Sequence, residues 1–212
     1  MLKTTELYNP VTKTWLSAGT TAAGHIGHTA TLLPEGTVLV VGAASDQGSP
    51  GNAVNSAELF TTTPKPTWTV TGPLTTARID HAAVLLQDGT VMVIGGRGGV
   101  GTNGAVIGSS EIFITTTKRW AKGPDLGTAR TGLTATLLAD GSVLAVGGKS
   151  GSASGAALNS SELLPPAGNT WRPAGVMAVS RTGHTATAIN GQVLVVGGSS
   201  TDPRTELGRP RE

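Results

Sequence analysis

Short apolar runs that alternate with glycine-rich polar segments are the main pattern along the chain. Within residues 81–120, a first apolar run is followed by Gln87-Asp88-Gly89, a second apolar run and the pair Gly95-Gly96. An Asp-Gly pair between two apolar runs predicts a tight β-hairpin, because glycine accepts the positive φ that the turn requires. Ser110–Ile114 and a segment opened by Trp120 add two predicted strands. This stretch is therefore expected to form a four-stranded antiparallel meander.

The same order of features returns with a period near 52 residues. The tryptophans are separated by 53, 52 and 51 residues, and a glutamate column and a glycine column keep the same step. Such a period indicates a repeat architecture, in which each unit buries its apolar faces only by stacking on its neighbours. The columns are Trp15, Trp68, Trp120 and Trp171; Glu6, Glu58, Glu111 and Glu162; and Gly42-Ala43, Gly95-Gly96, Gly147-Gly148 and Gly197-Gly198.

An apolar strand that ends in Gly-Gly, followed by an aromatic residue and then by a tryptophan about seven residues later, resembles the kelch motif. Here the pairs are Tyr8 with Trp15, Phe60 with Trp68 and Phe113 with Trp120, while Leu164 replaces the aromatic residue before Trp171. The stretch 28–42 also resembles kelch arrays of bacterial proteins. The resemblance covers nearly the whole chain and implies an all-β, kelch-type β-propeller of about four four-stranded antiparallel blades. It says less about function, because kelch propellers serve both as binding scaffolds and as enzyme frames.

Counting strands predicts one propeller domain over residues 1–212 with incomplete units at both ends. We expect a half-blade over 1–20, blades over about 21–73, 74–125 and 126–175, and a half-blade over 176–212. The two half-blades together would close a ring of four blades, which is small beside the six or seven usual in kelch propellers. Arg204–Leu207 repeats the third-strand signature, and its Glu206 competes with Glu6 for one place. This favours a partial array, from a longer gene or completed by a second copy as a homodimer, over a closed ring.

Composition narrows the function classes. The 212 residues include no cysteine, which excludes thiolate metal sites, and the net charge is only +2, from scattered basic residues. Because few aromatic side chains accompany these basic residues, we expect no nucleic-acid binding. No segment approaches the roughly 18 apolar residues of a membrane span. The first residues also lack a signal-peptide pattern. We therefore expect a cytoplasmic location if the chain is complete, and leave an extracellular one open if it is a fragment of a larger precursor.

A basic column before each predicted first strand is the leading candidate binding site. If the resemblance holds, these residues ring the mouth of the central channel and meet acidic peptides, because a guanidinium binds a carboxylate through two hydrogen bonds. The competing interpretation is that each base pairs with a glutamate of its own unit and holds the repeat together. The column consists of His25, Arg78, Arg130 and Arg181.

The loops after the glycine pairs break the repeat most and are a second candidate, since recognition usually lies in variable loops on a rigid scaffold. They span Ala44 to Ser56, Arg97 to Ser109 and Lys149 to Ser160, and their candidate binding residues are Arg97 and Lys149. Their glycine and serine content is equally consistent with plain flexibility.

Other chemistry is not favoured. The histidine column, His28, His81 and His184, has Leu133 in its fourth place, which suits packing better than metal binding. Nothing marks a pair of glycosidase carboxylates, and the glycine-rich segment 95–101 lacks the ending of a phosphate loop. Copper-radical oxidases, which share the kelch framework, need a cysteine-linked tyrosine, and this chain has only Tyr8 and no cysteine. We expect no cofactor and no metal.

The sequence therefore favours a non-catalytic scaffold that binds a protein or an acidic peptide through the channel-mouth face and the loops after Gly-Gly. The alternative is a carbohydrate-binding or accessory module of a secreted bacterial kelch protein.

Overall fold

The computed structural model describes residues 2–45, 52–98, 104–151 and 155–200. In these ranges the chain is all-β and has no helix. No helix in the described residues could therefore span a membrane. The strands are β1 (Thr4–Asn9), β2 (Thr14–Thr20), β3 (Thr29–Leu32), β4 (Val38–Ser45), β5 (Asn52–Thr61), β6 (Thr67–Val70), β7 (Ala82–Leu85), β8 (Val91–Ile94), β9 (Ser110–Ile114), β10 (Arg119–Lys122), β11 (Thr134–Leu137), β12 (Val143–Val146), β13 (Ser160–Leu164), β14 (Arg172–Val176), β15 (Thr185–Ile189) and β16 (Gln192–Val196).

The strands form three complete sheets flanked by two hairpins. The complete sheets are antiparallel meanders of four strands: the first holds β3 to β6, the second β7 to β10 and the third β11 to β14. The N-terminal hairpin pairs β1 with β2, and the C-terminal hairpin pairs β15 with β16. The prediction of all-β, four-stranded antiparallel units is confirmed for these three sheets. Arg204–Leu207, the predicted extra strand, lies outside the described residues.

The tight turns follow from the Asp-Gly and Glu-Gly pairs. Gly36, Gly89 and Gly141 have φ of 84°, 82° and 87°, in the left-handed region that glycine adopts without strain. Beside Gly89, the Asp88 carboxylate accepts hydrogen bonds from the Thr90 amide at 2.9 Å and its hydroxyl at 2.7 Å. These turns set the register of the first two strands in each complete sheet.

The apolar core lies between neighbouring complete sheets. One cluster joins the first sheet to the second, with Leu39, Val41 and Phe113 among its buried members. A second cluster joins the second sheet to the third and includes Ile94 and Trp171. All four residues of β8 are buried, because this strand is covered by a sheet on each side. Stacking of neighbours thus supplies the core that no unit has alone.

Consecutive sheets meet at their first strands through a chain of backbone hydrogen bonds. The Asp80 amide donates to Gly27 O at 2.8 Å, the Gly132 amide to Asp80 O at 2.9 Å and the Gly183 amide to Gly132 O at 3.0 Å. Side chains add to this, since His81 Nε2 bonds the Thr29 hydroxyl at 2.8 Å. The first strands therefore line one side of the array.

The array is not closed in the described residues, where no sheet contains strands from both terminal hairpins. Equivalent tryptophans therefore differ in exposure, because no described sheet precedes the N-terminal hairpin. Trp15 in that hairpin is 65% exposed, whereas Trp171 in the third sheet is 6% exposed. Both terminal hairpins present apolar side chains that their counterparts in complete sheets bury.

Candidate binding cleft beside the glycine pairs

The basic column forms buried clamps inside the complete sheets. Arg78 is 0% exposed, and its Nη2 donates to Glu111 Oε1 at 2.9 Å. Its Nη1 donates to two backbone carbonyls, those of Gly95 at 2.9 Å and Ser109 at 2.8 Å. Burial lowers the pKa of Arg78, while the hydrogen bond and charge of Glu111 act in the opposite direction. The guanidinium therefore ties the segment before β7 to the ends of β8 and β9.

The third sheet repeats this clamp. Arg130 is 1% exposed, donates to Glu162 Oε1 through Nη2 at 3.0 Å, and reaches the carbonyl oxygens of Gly147 and Ser160 at 3.0 and 2.8 Å. In the first sheet His25 takes the same place, with Nε2 3.1 Å from Glu58 Oε1 and Nδ1 2.8 Å from Gly42 O.

Backbone amides complete each clamp. The two carboxylate oxygens of Glu111 accept from the Thr75 and Thr76 amides at 2.7 and 3.0 Å. Glu162 is held in the same way by Gly127 and Thr128, at 2.7 and 3.0 Å. A buried carboxylate thus has a charged partner and two amide donors, as its burial requires.

Arg78 and Arg130, which were predicted to bind a ligand, are instead buried, and their Nη atoms donate to partners inside the fold. His25 is likewise held by Gly42 and Glu58. The alternative interpretation, a base paired with a glutamate of its own unit, describes all three. Arg181 differs: it is half-buried, and among the described residues it donates only to Gly197 O, at 2.8 Å.

Two other predicted residues, Arg97 and Lys149, line one open cleft of about 360 Å³. Each follows a glycine pair directly and forms an isolated bridge to a residue three positions before a first strand, Arg97 with Ile79 and Lys149 with Thr131. Ser199 holds the equivalent place in the C-terminal hairpin and also lines the cleft. The fold therefore brings together two cations from neighbouring sheets.

Asp80, which is not among the residues predicted from sequence, lies in the same cleft. Its φ is 53°, and the equivalent positions are Gly27, Gly132 and Gly183 with φ of 62°, 64° and 65°. A non-glycine residue in this conformation is uncommon, although aspartate tolerates it better than most. Its carboxylate accepts from Arg97 Nε at 2.9 Å, and its side chain is 41% exposed against 16% for that of Arg97. The signal that finds Asp80 is the break in a glycine column.

Histidines form the floor of the cleft. His81 and His184 are 6% and 5% exposed, and their Nε2 atoms bond the hydroxyls of Thr29 and Thr134. Burial, then the charges of Arg78 and His28, lower the pKa of His81 to about 3. His81 is therefore neutral at physiological pH and adds no charge. Among the described residues no group of three or more histidine, aspartate or glutamate side chains could hold a metal ion.

Leu164, which stands in the place of an aromatic residue, lines a second groove. An apolar groove of about 720 Å³ lies between the second and third sheets and is lined by Leu164, Met92 and Pro165. The corresponding groove between the first and second sheets, where Phe113 is fully buried, measures about 150 Å³.

Comparison with known proteins adds support for the fold. No family model matches the chain, and no curated protein matches it. Solved structures do match, among them the structure of YjhT, with a TM-score of 0.73 and 16% sequence identity. That similarity covers 94% of this chain and 69% of the YjhT chain. At this identity the likeness shows the arrangement of strands and sheets alone.

Proposed function

We propose that the chain is a kelch-type β-propeller array and acts as a non-catalytic scaffold that binds an acidic protein segment in the cleft of Arg97 and Lys149. The propeller assignment rests on three stacked four-stranded meanders whose first strands adjoin along one side. The motif pairs of Gly-Gly, aromatic residue and tryptophan support the kelch assignment.

The observation that carries the binding proposal is the placement of two cations at equivalent positions in neighbouring sheets. Residues that serve the fold recur in every unit, as the clamps do. Arg97 and Lys149 instead differ from unit to unit, with Ala44 and Ser199 in the other two places. The cleft is open, so an extended segment with carboxylates can cross it and meet both charges.

The carbohydrate alternative is less well supported. Stacking on sugars needs exposed aromatic rings, and the described residues that line the cleft include none apart from the imidazoles of His81 and His184. Glycan binding therefore enters as a competing outcome of the experiment below.

The test is fluorescence anisotropy with a labelled peptide of alternating glutamate and glycine, against a glutamine version of the same peptide. Arg97→Ala combined with Lys149→Ala is expected to weaken binding of the acidic peptide by at least about tenfold, since hydrogen bonds to charged groups contribute about 1.5–3 kcal/mol each. The matched control is Arg119→Ala with Lys65→Ala, which removes the same charges from exposed positions away from the cleft.

A second variant tests the role of Asp80. Asp80→Asn keeps a residue that tolerates positive φ but removes the negative charge on Arg97 Nε, so affinity for the acidic peptide is expected to rise. Equal binding of the acidic and glutamine peptides, or selective binding on a glycan array with no peptide binding, would overturn the proposal.

A further inference from the structure

The two terminal hairpins are complementary halves of one sheet. β15 and β16 correspond to the first and second strands of the complete sheets, and β1 and β2 correspond to the third and fourth. Gln192–Val196 is exposed or half-buried throughout, whereas its counterpart β8 is entirely buried. An uncovered second strand leaves backbone donors and acceptors that a third strand would pair.

The clamp of the C-terminal hairpin is half built. Arg181 keeps its bond to the carbonyl after the second strand, Gly197 O at 2.8 Å, as Arg78 does to Gly95. The partners that a third strand supplies are missing among the described residues. The amides of Ala178 and Val179, equivalent to those of Thr75 and Thr76, also donate to nothing described.

The N-terminal hairpin holds the missing half. Glu6 is exposed and has no partner among the described residues, although every other member of its column is clamped. Tyr8 and Trp15 are 48% and 65% exposed, while Phe113 in the second sheet is 0% exposed. Charge, apolar surface and strand order therefore match the needs of the C-terminal hairpin.

We propose that the N-terminal hairpin of a second copy of this chain docks on the C-terminal hairpin and completes a fourth four-stranded sheet. The complete sheets give the register, since Val91 pairs with Phe113 and Val93 with Glu111. The equivalent pairs across the interface are Val193 with Tyr8 and Val195 with Glu6. Glu6 then meets Arg181 and the amides of Ala178 and Val179.

Trp15 of the N-terminal hairpin also gains a hydrogen-bond acceptor in the proposed contact. Trp171 Nε1 donates to Pro124 O, at 3.0 Å, and Trp120 Nε1 donates to Gly72 O, also at 3.0 Å. Each acceptor lies two residues past the end of the fourth strand of the preceding sheet. The equivalent acceptor for the second copy's Trp15 is the Gly175 carbonyl of β14, since Gly72, Pro124 and Gly175 each lie four residues after the tryptophan of their own unit. Val176 beside it is 75% exposed, so the docked ring covers apolar surface on the third sheet.

The sheet of the C-terminal hairpin lacks a third and a fourth strand among the described residues. The N-terminal hairpin supplies both, together with the tryptophan of the fourth strand. The contact is heterologous, because unlike surfaces meet, so copies add head to tail until a ring closes.

The experiment is sedimentation velocity of the full chain across a dilution series in the micromolar range. We expect a concentration-dependent mass of at least two copies. Glu6→Lys and Arg181→Glu each place like charges at the interface and are expected to weaken association by roughly thirtyfold or more, leaving monomers. The control reversals, Glu35→Lys and Arg119→Glu, lie at exposed positions of the first and second sheets, away from the interface, and should associate like the unaltered chain.

Mixing the two interface variants gives the sharper result. The Glu6→Lys chain retains an intact C-terminal hairpin and the Arg181→Glu chain an intact N-terminal hairpin, and the two substituted sites carry opposite charges where they meet, so an equimolar mixture should associate although neither variant does so alone. Circular dichroism of each variant confirms that the fold is kept, and Glu6→Gln serves as a milder change. A monomeric unaltered chain, or a mixture that stays monomeric, overturns the proposal and points to closure within one chain.

Discussion

The clamp at Arg78 should dominate the stability of the second sheet. Replacing it by leucine keeps an apolar side chain in the space but leaves the Glu111 carboxylate and the carbonyls of Gly95 and Ser109 without their donor. Removing one partner of a buried ion pair costs about 3–5 kcal/mol. With a urea dependence near 3 kcal/mol per molar, the unfolding midpoint of Arg78→Leu is expected to fall by about 1–1.7 M.

The measurement is urea unfolding followed by tryptophan fluorescence and far-ultraviolet circular dichroism. Because repeat arrays can unfold unit by unit, hydrogen exchange of the β9 amides reports separately on the second sheet. Arg119→Leu, the same change at an exposed site of β10, is the control and should change stability by less than about 0.5 kcal/mol. Arg78→His installs the residue that serves the first sheet as His25 and should cost less than leucine.

The prediction is contradicted if the urea midpoint of Arg78→Leu lies within error of that of the unaltered chain, or if Arg119→Leu lowers the midpoint equally. Either result would mean that the clamp is a geometric coincidence of the repeat and contributes little free energy.

Two further predictions concern residues that make contacts between the first and second sheets. The pKa of His81 is about 3 in the folded chain and 6.5 when unperturbed, so on acidification the unfolded chain binds the proton first. The free energy of unfolding should therefore fall by about 1.4 kcal/mol per pH unit as the pH drops from 6.5 towards 3. His81→Leu, the residue found at Leu133, should flatten that slope in urea unfolding at several pH values; an unchanged slope contradicts the assignment. Gly42→Ala should lower the free energy of unfolding by about 1–3 kcal/mol more than Gly36→Ala does. Both glycines have a positive φ, but only at Gly42 would an added Cβ lie close to another atom, 2.5 Å from Arg78 O. Equal thermal midpoints for the two alanine variants would contradict the close approach.

The repeat could be predicted from sequence because its determinants are local. Asp88-Gly89 encodes a turn, Val91–Ile94 encodes a strand covered on both faces, and the period places them. The alternation of residue types does not say which way a charged residue points, so Arg78 was compatible with both a channel mouth and a buried clamp. Its burial depends on Glu111, which is distant in sequence and brought near by the meander.

The cleft was only partly predictable for a related reason. Arg97 and Lys149 could be selected because each follows a glycine pair and departs from the residues in the other units. Asp80 stands in a column with Gly27, Gly132 and Gly183 that keeps the repeat period, so the sequence does carry a signal at this position, although one aspartate between Ile79 and His81 does not by itself indicate binding. The structure adds the backbone conformation, since φ is positive at all four positions.

The bonds that join one first strand to the next have a consequence for how such a chain can change in length. His81 reaches Thr29 across 52 positions, and His184 reaches Thr134 across 50. At the junction of the second and third sheets Leu133 replaces the histidine, but the backbone bonds from Gly27 through Asp80 and Gly132 to Gly183 recur at every junction. A duplication or deletion of a whole unit would leave these backbone bonds with partners of the same kind, whereas the loss of part of a unit would leave a carboxylate such as Glu111 without its clamp. Length can therefore vary only in steps of one sheet.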